Sequence, residues 1–303
     1  MQLYNLKLAW WNTALSPAAR SASSKANMEN YATICDHIKK LIMEKSCDLV
    51  AICEVSTEDV AHINTYLDTH LTNLKVLDLT SDLGRSRFDI AVIYNSSKIK
   101  VSHQYYLTKA MTGSTVKAAQ LVEIDNLDDN SKIQLYLCHW ASRIIGDGEK
   151  RRIAAANMVY SSAKELMSEN QDVIVMGDFN DNPYDESILI NLNSTRCHDS
   201  VRNYPKEIFY NPFWRSVVSD KKYDHLVDND TFRSGTHKYK QFQGTVWHSY
   251  DQIMFSGSFL GTGVWHLNEE STKVIDDIGF INDFENSKCL VDHLPVMCEI
   301  TRP

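Results

Sequence analysis

The run Val173-Ile174-Val175-Met176 stops at Gly177 and gives way to Asp178, Asn180 and Asp181 within four residues. A short apolar β-type run bounded in this way is a buried strand whose end carries something other than packing. Comparable segments recur at Leu3–Trp11, Asp48–Glu54, Lys75–Leu79, Arg87–Tyr94, Ala118–Ile124, Ile133–His139, Asp172–Met176, Ser249–Ser256 and Leu290–Ile300. Three stretches between them have helical period. Residues 24–45 gather Met28, Tyr31, Ile34, Ile38, Leu41 and Ile42, with Ser24 as the candidate N-cap. Residues 56–71 open on Ser56 with Asp59 three later, a capping-box spacing, and gather Val60, Ile63 and Leu67. Residues 149–168 place Ile153, Ala156, Val159, Ala163 and Leu166 on one stripe. Strands outnumber helices and short turns such as Asn95-Ser96-Ser97 join neighbours. An α/β protein with mostly antiparallel sheets and helices packed outside is expected.

The chain of 303 residues shows no Pro/Gly/Ser-rich linker and no internal repeat, so one domain over 1–303 is expected, with a long loop-rich insertion at about 191–247. A formal net charge of −8 provides no broad basic field for non-specific nucleic-acid binding. It leaves a phosphate substrate open, because carboxylates that hold a metal count toward the total. Cys35, Cys47, Cys53, Cys138, Cys197, Cys289 and Cys298 are odd in number and include no CxxC spacing, so they read as reduced thiols. No signal-peptide pattern and no membrane-length apolar run is visible, which makes a cytoplasmic protein the expectation.

Several apolar runs end on a polar residue. Leu6–Trp11 leads to Asn12, Leu49–Cys53 to Glu54, Leu135–Cys138 to His139, and Ile174–Gly177 to Asp178 and Asn180. Asp251 opens the run Ile253–Phe255, and Val291 leads into Asp292-His293-Leu294-Pro295. Singly, a strand-end Asn or Asp suits a turn or a cap, and a lone His suits a satisfied core position. Together they match what phosphodiester hydrolysis needs. Asn12, Glu54 and Asp292 are oxygen ligands of the kind Mg²⁺ takes. Asp178 with Asn180 suits an attacking water, His139 and His293 suit phosphate oxygens or the leaving group, and Asp251 suits orienting a histidine.

In this order the motifs resemble the endonuclease/exonuclease/phosphatase superfamily. The matching pieces are Trp11-Asn12, Ile52-Cys53-Glu54, His139, Gly177-Asp178-Phe179-Asn180-Asp181, Tyr250-Asp251-Gln252 and Asp292-His293-Leu294-Pro295, which run over nearly the whole chain. GDFN alone is a short pattern; six ordered motifs at strand ends are specific. The resemblance implies a four-layer α/β sandwich, two mixed, mostly antiparallel sheets face to face with helices outside. It implies Glu54 as main metal ligand with Asn12 and Asp292 nearby, and Mg²⁺ as cofactor with Mn²⁺ an alternative. It implies Asp178 on the attacking water, helped by Asn180, and Asp251 paired to a His293 that contacts the scissile phosphate. The AP endonucleases of this superfamily carry a tyrosine where His139 stands, whereas deoxyribonuclease I, sphingomyelinases and 5-phosphatases carry a histidine. In the deoxyribonuclease I branch a carboxylate from an earlier strand pairs with that histidine. The nearest candidate is Asp89, whose register the sequence leaves open.

Arg143, four residues past His139, suits a bidentate grip on a substrate phosphate or an ordinary surface position. Lys150-Arg151-Arg152 at a helix start oppose its dipole and suit an anionic partner or a solvated helix end. The 191–247 region interleaves Tyr204, Phe209, Tyr210, Phe213, Trp214, Arg233, Lys238 and Trp247 with Lys221, Lys222 and Lys240. Such a mixture suits bases stacked beside a phosphate chain, or a loop that builds its own small core. The leading expectation is therefore a Mg²⁺-dependent phosphodiesterase with a nucleic-acid substrate, DNA ahead of RNA, and no membrane partner. The alternatives are a phosphatase or phosphodiesterase of a small molecule or lipid headgroup, and, behind both, a dead binding scaffold. The intact residue set speaks against the last.

Overall fold

Leu6, Leu8 and Trp10 alternate with Ala9 and Trp11, and both sets are buried. A strand covered on both faces lies between two layers, and the same double burial recurs across the molecule. The computed structural model describes residues 4–17, 26–83, 86–111, 114–219, 225–226, 233–239, 245–261 and 263–302. In chain order its elements are β1 (Tyr4–Asn12), α1 (Met28–Met43), β2 (Leu49–Cys53), α2 (Thr57–His70), β3 (Leu74–Asp78), β4 (Ser81–Leu83), β5 (Ser86–Phe88), β6 (Ile90–Asn95), β7 (Ile99–Met111), β8 (Ser114–Asn126), β9 (Lys132–His139), α3 (Gly148–Ser168), β10 (Asp172–Asp178), β11 (Ser194–Thr195), α4 (His198–Asn203), β12 (Phe209–Tyr210), β13 (His237–Lys238), β14 (Trp247–His248), β15 (Asp251–Phe255), β16 (His266–Val274), α5 (Ile278–Glu285) and β17 (Val296–Arg302).

One sheet has the order β16-β17-β1-β2-β6-β3, the other β11-β12-β15-β10-β9-β8-β7. Most neighbours are antiparallel. The long parallel pairs are β1 with β2 and β9 with β10, joined by crossover helices α1 and α3. Leu8, Trp10, Ala51, Val92, Leu135, Ile174, Met176, Ile253 and Cys298 share one core between the sheets. Ala9, Trp11, Val50 and Ile52 pack outward with Ile34 and Ile38 of α1, Ile63 of α2 and Phe280 of α5. Val173 and Val175 pack outward with Ala156, Val159 and Ala163 of α3. This is the four-layer arrangement, helices outside two mixed sheets, that the resemblance implied.

Local details differ where tertiary contacts override sequence pattern. The first helix is capped by Asn27, whose side chain and that of Asn30 bond reciprocally to backbone; Ser24 lies outside the described residues. The second helix has the expected Ser56/Asp59 box. In α3 the buried stripe is rotated to Arg152, Ala155, Ala156, Val159, Ala163 and Met167. The strand placed at Leu290–Ile300 starts only at Val296. Strands β7 and β16 and helix α5 had no sequence signal. β7 is an edge strand with much of its length exposed, so its apolar alternation is weak. The 191–247 region is not one irregular loop: β11 and β12 extend a sheet, and Phe213 enters the inter-sheet core. Lys221, Lys222 and Lys240 lie outside the described residues. All seven cysteines are free, and five are buried. Among the described residues no helix is long and apolar enough to cross a membrane.

Candidate active site

Strand direction explains why residues so far apart in sequence meet. The parallel strands β1, β2, β9 and β10 end at Asn12, Cys53, His139 and Asp178. β15 runs antiparallel to β10, with Asp251 opposite Asp178, so its first residue lies at the same edge. β17 runs antiparallel to β1, with Val296 opposite Trp10, so Asp292-His293 enter there too. β6 runs antiparallel to β2 with Ile90 opposite Cys53, which brings Asp89 to that edge. Ligand sites of open α/β sheets gather at such carboxyl ends for the same topological reason.

Gly177 permits this convergence. A Cβ there would lie 2.1 Å from the Cys138 carbonyl oxygen, so only glycine lets β10 carry Asp178 past β9 at this spacing. Three non-glycine residues at the edge have left-handed backbone: Ala14 (φ 53), Glu54 (φ 58) and Asn180 (φ 52). Such conformations cost about 1 kcal/mol or more and persist where surrounding contacts over-determine them.

Asp251 is fully buried and joins the two sheets. It accepts from His293 Nδ1 at 2.7 Å and from Trp10 Nε1 at 3.0 Å. Burial alone would lower His293; Asp251 and then Asp178 hold it well above its ordinary value, as the cation. The His293 carbonyl accepts from Trp11 Nε1 at 2.9 Å, so adjacent tryptophans of β1 grip both partners. Asp178 Oδ1 accepts from the Asn180 amide at 2.9 Å, and Oδ2 from Asn12 Nδ2 at 3.0 Å. Oδ2 stands 3.9 Å from His293 Nε2. That gap is too long for a direct hydrogen bond, and a single oxygen atom can lie within reach of both groups. Asn180 Nδ2 donates to the Trp140 carbonyl at 3.2 Å.

On the other side His139 Nδ1 faces both oxygens of Asp89, at 3.0 and 3.1 Å. This settles the register question: the carboxylate points at the histidine. Burial opposes the charge, but Asp89 raises His139 to about 9. His139 and Lys117, whose Nζ is 3.7 Å away, overcome burial and hold Asp89 well below the usual carboxylate range.

Glu54 lies between these halves, with Oε1 3.8 Å from His139 Nε2. Burial, opposed by His139 and reinforced by Asp292 and Asp89, pushes Glu54 up to about 7. Among the described residues no donor hydrogen-bonds its carboxylate. A partly buried carboxylate without donors, an Asp292 acting on it electrostatically, and an Asn12 amide oxygen form an oxygen-rich set suited to a hard divalent cation. Asn12 is partly committed, since its Oδ1 accepts from the Ala14 amide at 3.1 Å. Ligand atoms of Asp178, Asp251 and His293 also lie within 4.8 Å of one another. Two of those three residues already bond each other, so this cluster is a proton-holding pair with a neighbouring carboxylate, not a cation cage.

Arg143 is engaged by the protein itself. Its Nε donates to the Asn180 carbonyl at 2.9 Å, Nη2 to Asp181 at 2.8 Å and also to Asp185, and the guanidinium lies 5.4 Å from the Tyr250 ring centroid. The fork is occupied by the loop that carries Asn180, which leaves little of it for a phosphate. Asp181 fixes the same loop, through Arg143, through Arg152 Nε at 2.8 Å and by accepting from Ser187 Oγ at 2.6 Å. Arg152 is therefore a buried anchor, neither solvated nor free for an anion. Sequence reading passed over His237, from the 191–247 region. Its ring packs on His293 with centroids 4.5 Å apart, and burial and then His293 push it down to about 3, so it is neutral. A lone histidine in an irregular stretch carries no periodic signal that could have marked it.

The sequence model of the Endonuclease/Exonuclease/phosphatase family matches residues 14–282. Among curated proteins none matches the chain. Solved structures share the fold. An endonuclease/exonuclease/phosphatase family protein from Bacteroides thetaiotaomicron is 16% identical with a TM-score of 0.62, over 100% of both chains. A mannosyl-6-phosphatase from the same organism is 16% identical with a TM-score of 0.60, over 97% of this chain and 99% of its own. D. rerio TDP2 complexed with a single-strand DNA product is 14% identical with a TM-score of 0.56, over 98% of each chain. At these identities the likeness is one of fold.

Proposed function

Because the chain belongs to the endonuclease/exonuclease/phosphatase family of divalent-metal-dependent phosphoester hydrolases, we propose that it is a Mg²⁺-dependent phosphodiesterase that cleaves nucleic acid, DNA ahead of RNA. The observation that carries the hydrolytic reading is the gap of 3.9 Å between Asp178 Oδ2 and His293 Nε2, flanked by the Asp251 pair. Asp178 holds the attacking water in line and takes its proton, with the Asn180 amide fixing the carboxylate's other oxygen. His293 donates from Nε2 to a phosphate oxygen while Asp251 keeps the Nδ1 proton and the ring angle. His139, cationic beside Asp89, donates from Nε2 to a second phosphate oxygen or the leaving group. Glu54, with Asn12 and Asp292, would hold the divalent cation, which when bound neutralises phosphate charge as a Lewis acid.

The nucleic-acid part rests on a row of interleaved rings and cations beyond Asn180. Arg196 lies 5.7 Å from the ring of Tyr184 and 5.2 Å from that of Trp214, and Arg215 lies 5.2 Å from the same Trp214 ring. Both arginines are exposed and Tyr184 is 44% exposed, a composition suited to stacked bases along a phosphate chain. A small phosphorylated molecule is the second reading. A cavity of about 480 Å³ lined by Asn182, Tyr184, Val217, Trp247 and Ser249 favours it, as does the net charge. Plasmid, single-strand and RNA oligonucleotides, nucleotides, inositol phosphates and phospholipids are incubated with Mg²⁺ or EDTA. Metal-dependent cleavage of polymer supports the first reading, and turnover of small esters alone supports the second. No metal-dependent turnover of any substrate would sink both.

A further inference from the structure

The residues Gly235-Thr236-His237 reach both members of the Asp251–His293 pair. Thr236 Oγ1 accepts from the Asp251 amide at 3.2 Å, and the Thr236 carbonyl accepts from the Leu294 amide at 2.8 Å. His237 Nδ1 donates to the Asp292 carbonyl at 2.9 Å, and its ring covers that of His293. His237 and His293 also form an isolated antiparallel bridge. One side of the contact is thus the start of β15, the other the turn before β17, and these belong to different sheets. The approach depends on Gly235, whose φ is +112 and whose Cβ would lie 2.3 Å from the His248 carbonyl oxygen. Behind it the rings of His248 and Tyr250 stack on each other, Tyr239 meets both edge-on, and the three back the clip.

We propose that Thr236 and His237 are positioning residues: they clip Asp251 and His293 into one geometry, and turnover depends on that clip. The inference rests on the reading of Asp251–His293 as a catalytic pair. A hydrogen bond of 2.7 Å between two groups carried by separate sheets needs an external constraint, and this segment supplies four contacts to it. A misplacement on the order of 1 Å costs about 100-fold in rate.

The test uses His237→Ala, His237→Asn and Thr236→Val in the full chain, with kcat and KM on the best phosphodiester found. His237→Ala is expected to lower kcat by about 10- to 100-fold with KM within about 3-fold, and Asn, which can still donate to the Asp292 carbonyl, to recover part of it. In a His293→Ala background the same change is expected to cost nothing further, because the residue acts through His293. A change in KM alone, or an undiminished loss in that background, overturns the proposal. A second readout needs no turnover: the low-field proton of the Asp251–His293 hydrogen bond is compared by NMR in wild type and Thr236→Val, which keeps the β-branched shape. Loss or displacement of that resonance supports the clip even if no substrate is ever cleaved. An unchanged resonance in the folded variants overturns it, whatever the fate of the hydrolase reading.

Discussion

Asp89→Asn removes the carboxylate beside His139 and keeps the shape of the side chain. His139 is held up to about 9, against an ordinary 6.5, chiefly by Asp89 and in spite of burial. Without that carboxylate, burial still opposes the cation, Asp178 and the nearby Glu54 still favour it, and the imidazole falls back toward its ordinary 6.5. At about pH 8 the cationic fraction then falls from about nine-tenths to about three-hundredths, roughly 30-fold; at about pH 6 it falls by less than half. If His139 acts on the phosphate as a cation, kcat/KM drops on the order of 30-fold at the higher pH and no more than a few-fold at the lower. The pair also contributes to folding. His139, raised on folding, adds stability that is complete below its unfolded value and lost as pH rises through about 9. Asp89, depressed on folding, adds stability present above its unfolded value and lost as pH falls below it. The contribution, on the order of 3 kcal/mol, is therefore complete between about pH 4 and 6.5. Urea melts of wild type and variant are expected to differ most in that window and least in alkali. An equal loss of kcat/KM at both pH values, with a basic limb still near 9, would refute the assignment.

Asp178→Asn and His293→Ala are each expected to lower kcat by at least about 100-fold while thermal unfolding stays cooperative; unchanged turnover in both would remove them from the chemistry. EDTA is expected to abolish activity, and added Mg²⁺ to raise the Tm of wild type but not of Glu54→Gln, read by calorimetry. An equal rise in both proteins would mean that the ion is held elsewhere. Arg143→Ala is expected to cost about 1–3 kcal/mol of stability by freeing the Asn180 loop, with kcat falling and KM little changed. A large rise in KM alone would instead make Arg143 a phosphate ligand.

What was legible in the sequence is local. Short apolar runs bounded by polar or turn residues placed β1, β2, β9, β10 and β15 to within a residue or two, because a strand buried on both faces is apolar at nearly every position. The Ser56/Asp59 box marked a helix start, because a cap is satisfied within four residues. The polar ends at Asn12, Glu54, His139, Asp178, Asp251 and His293 could be read as one set, because each breaks an apolar run without helping it pack. Which of these side chains meet was decided only by the tertiary structure. The pairing of Asp89 with His139, the bond across the sheets from Asp251 to His293, and the commitment of Arg143 to Asp181 and Asp185 all depend on strand order and register. His237 is the sharpest case: its place beside His293 is set by a left-handed Gly235 and a bridge across 56 positions. Local pattern reports the neighbours along the chain, whereas a buried charge finds its partner through space.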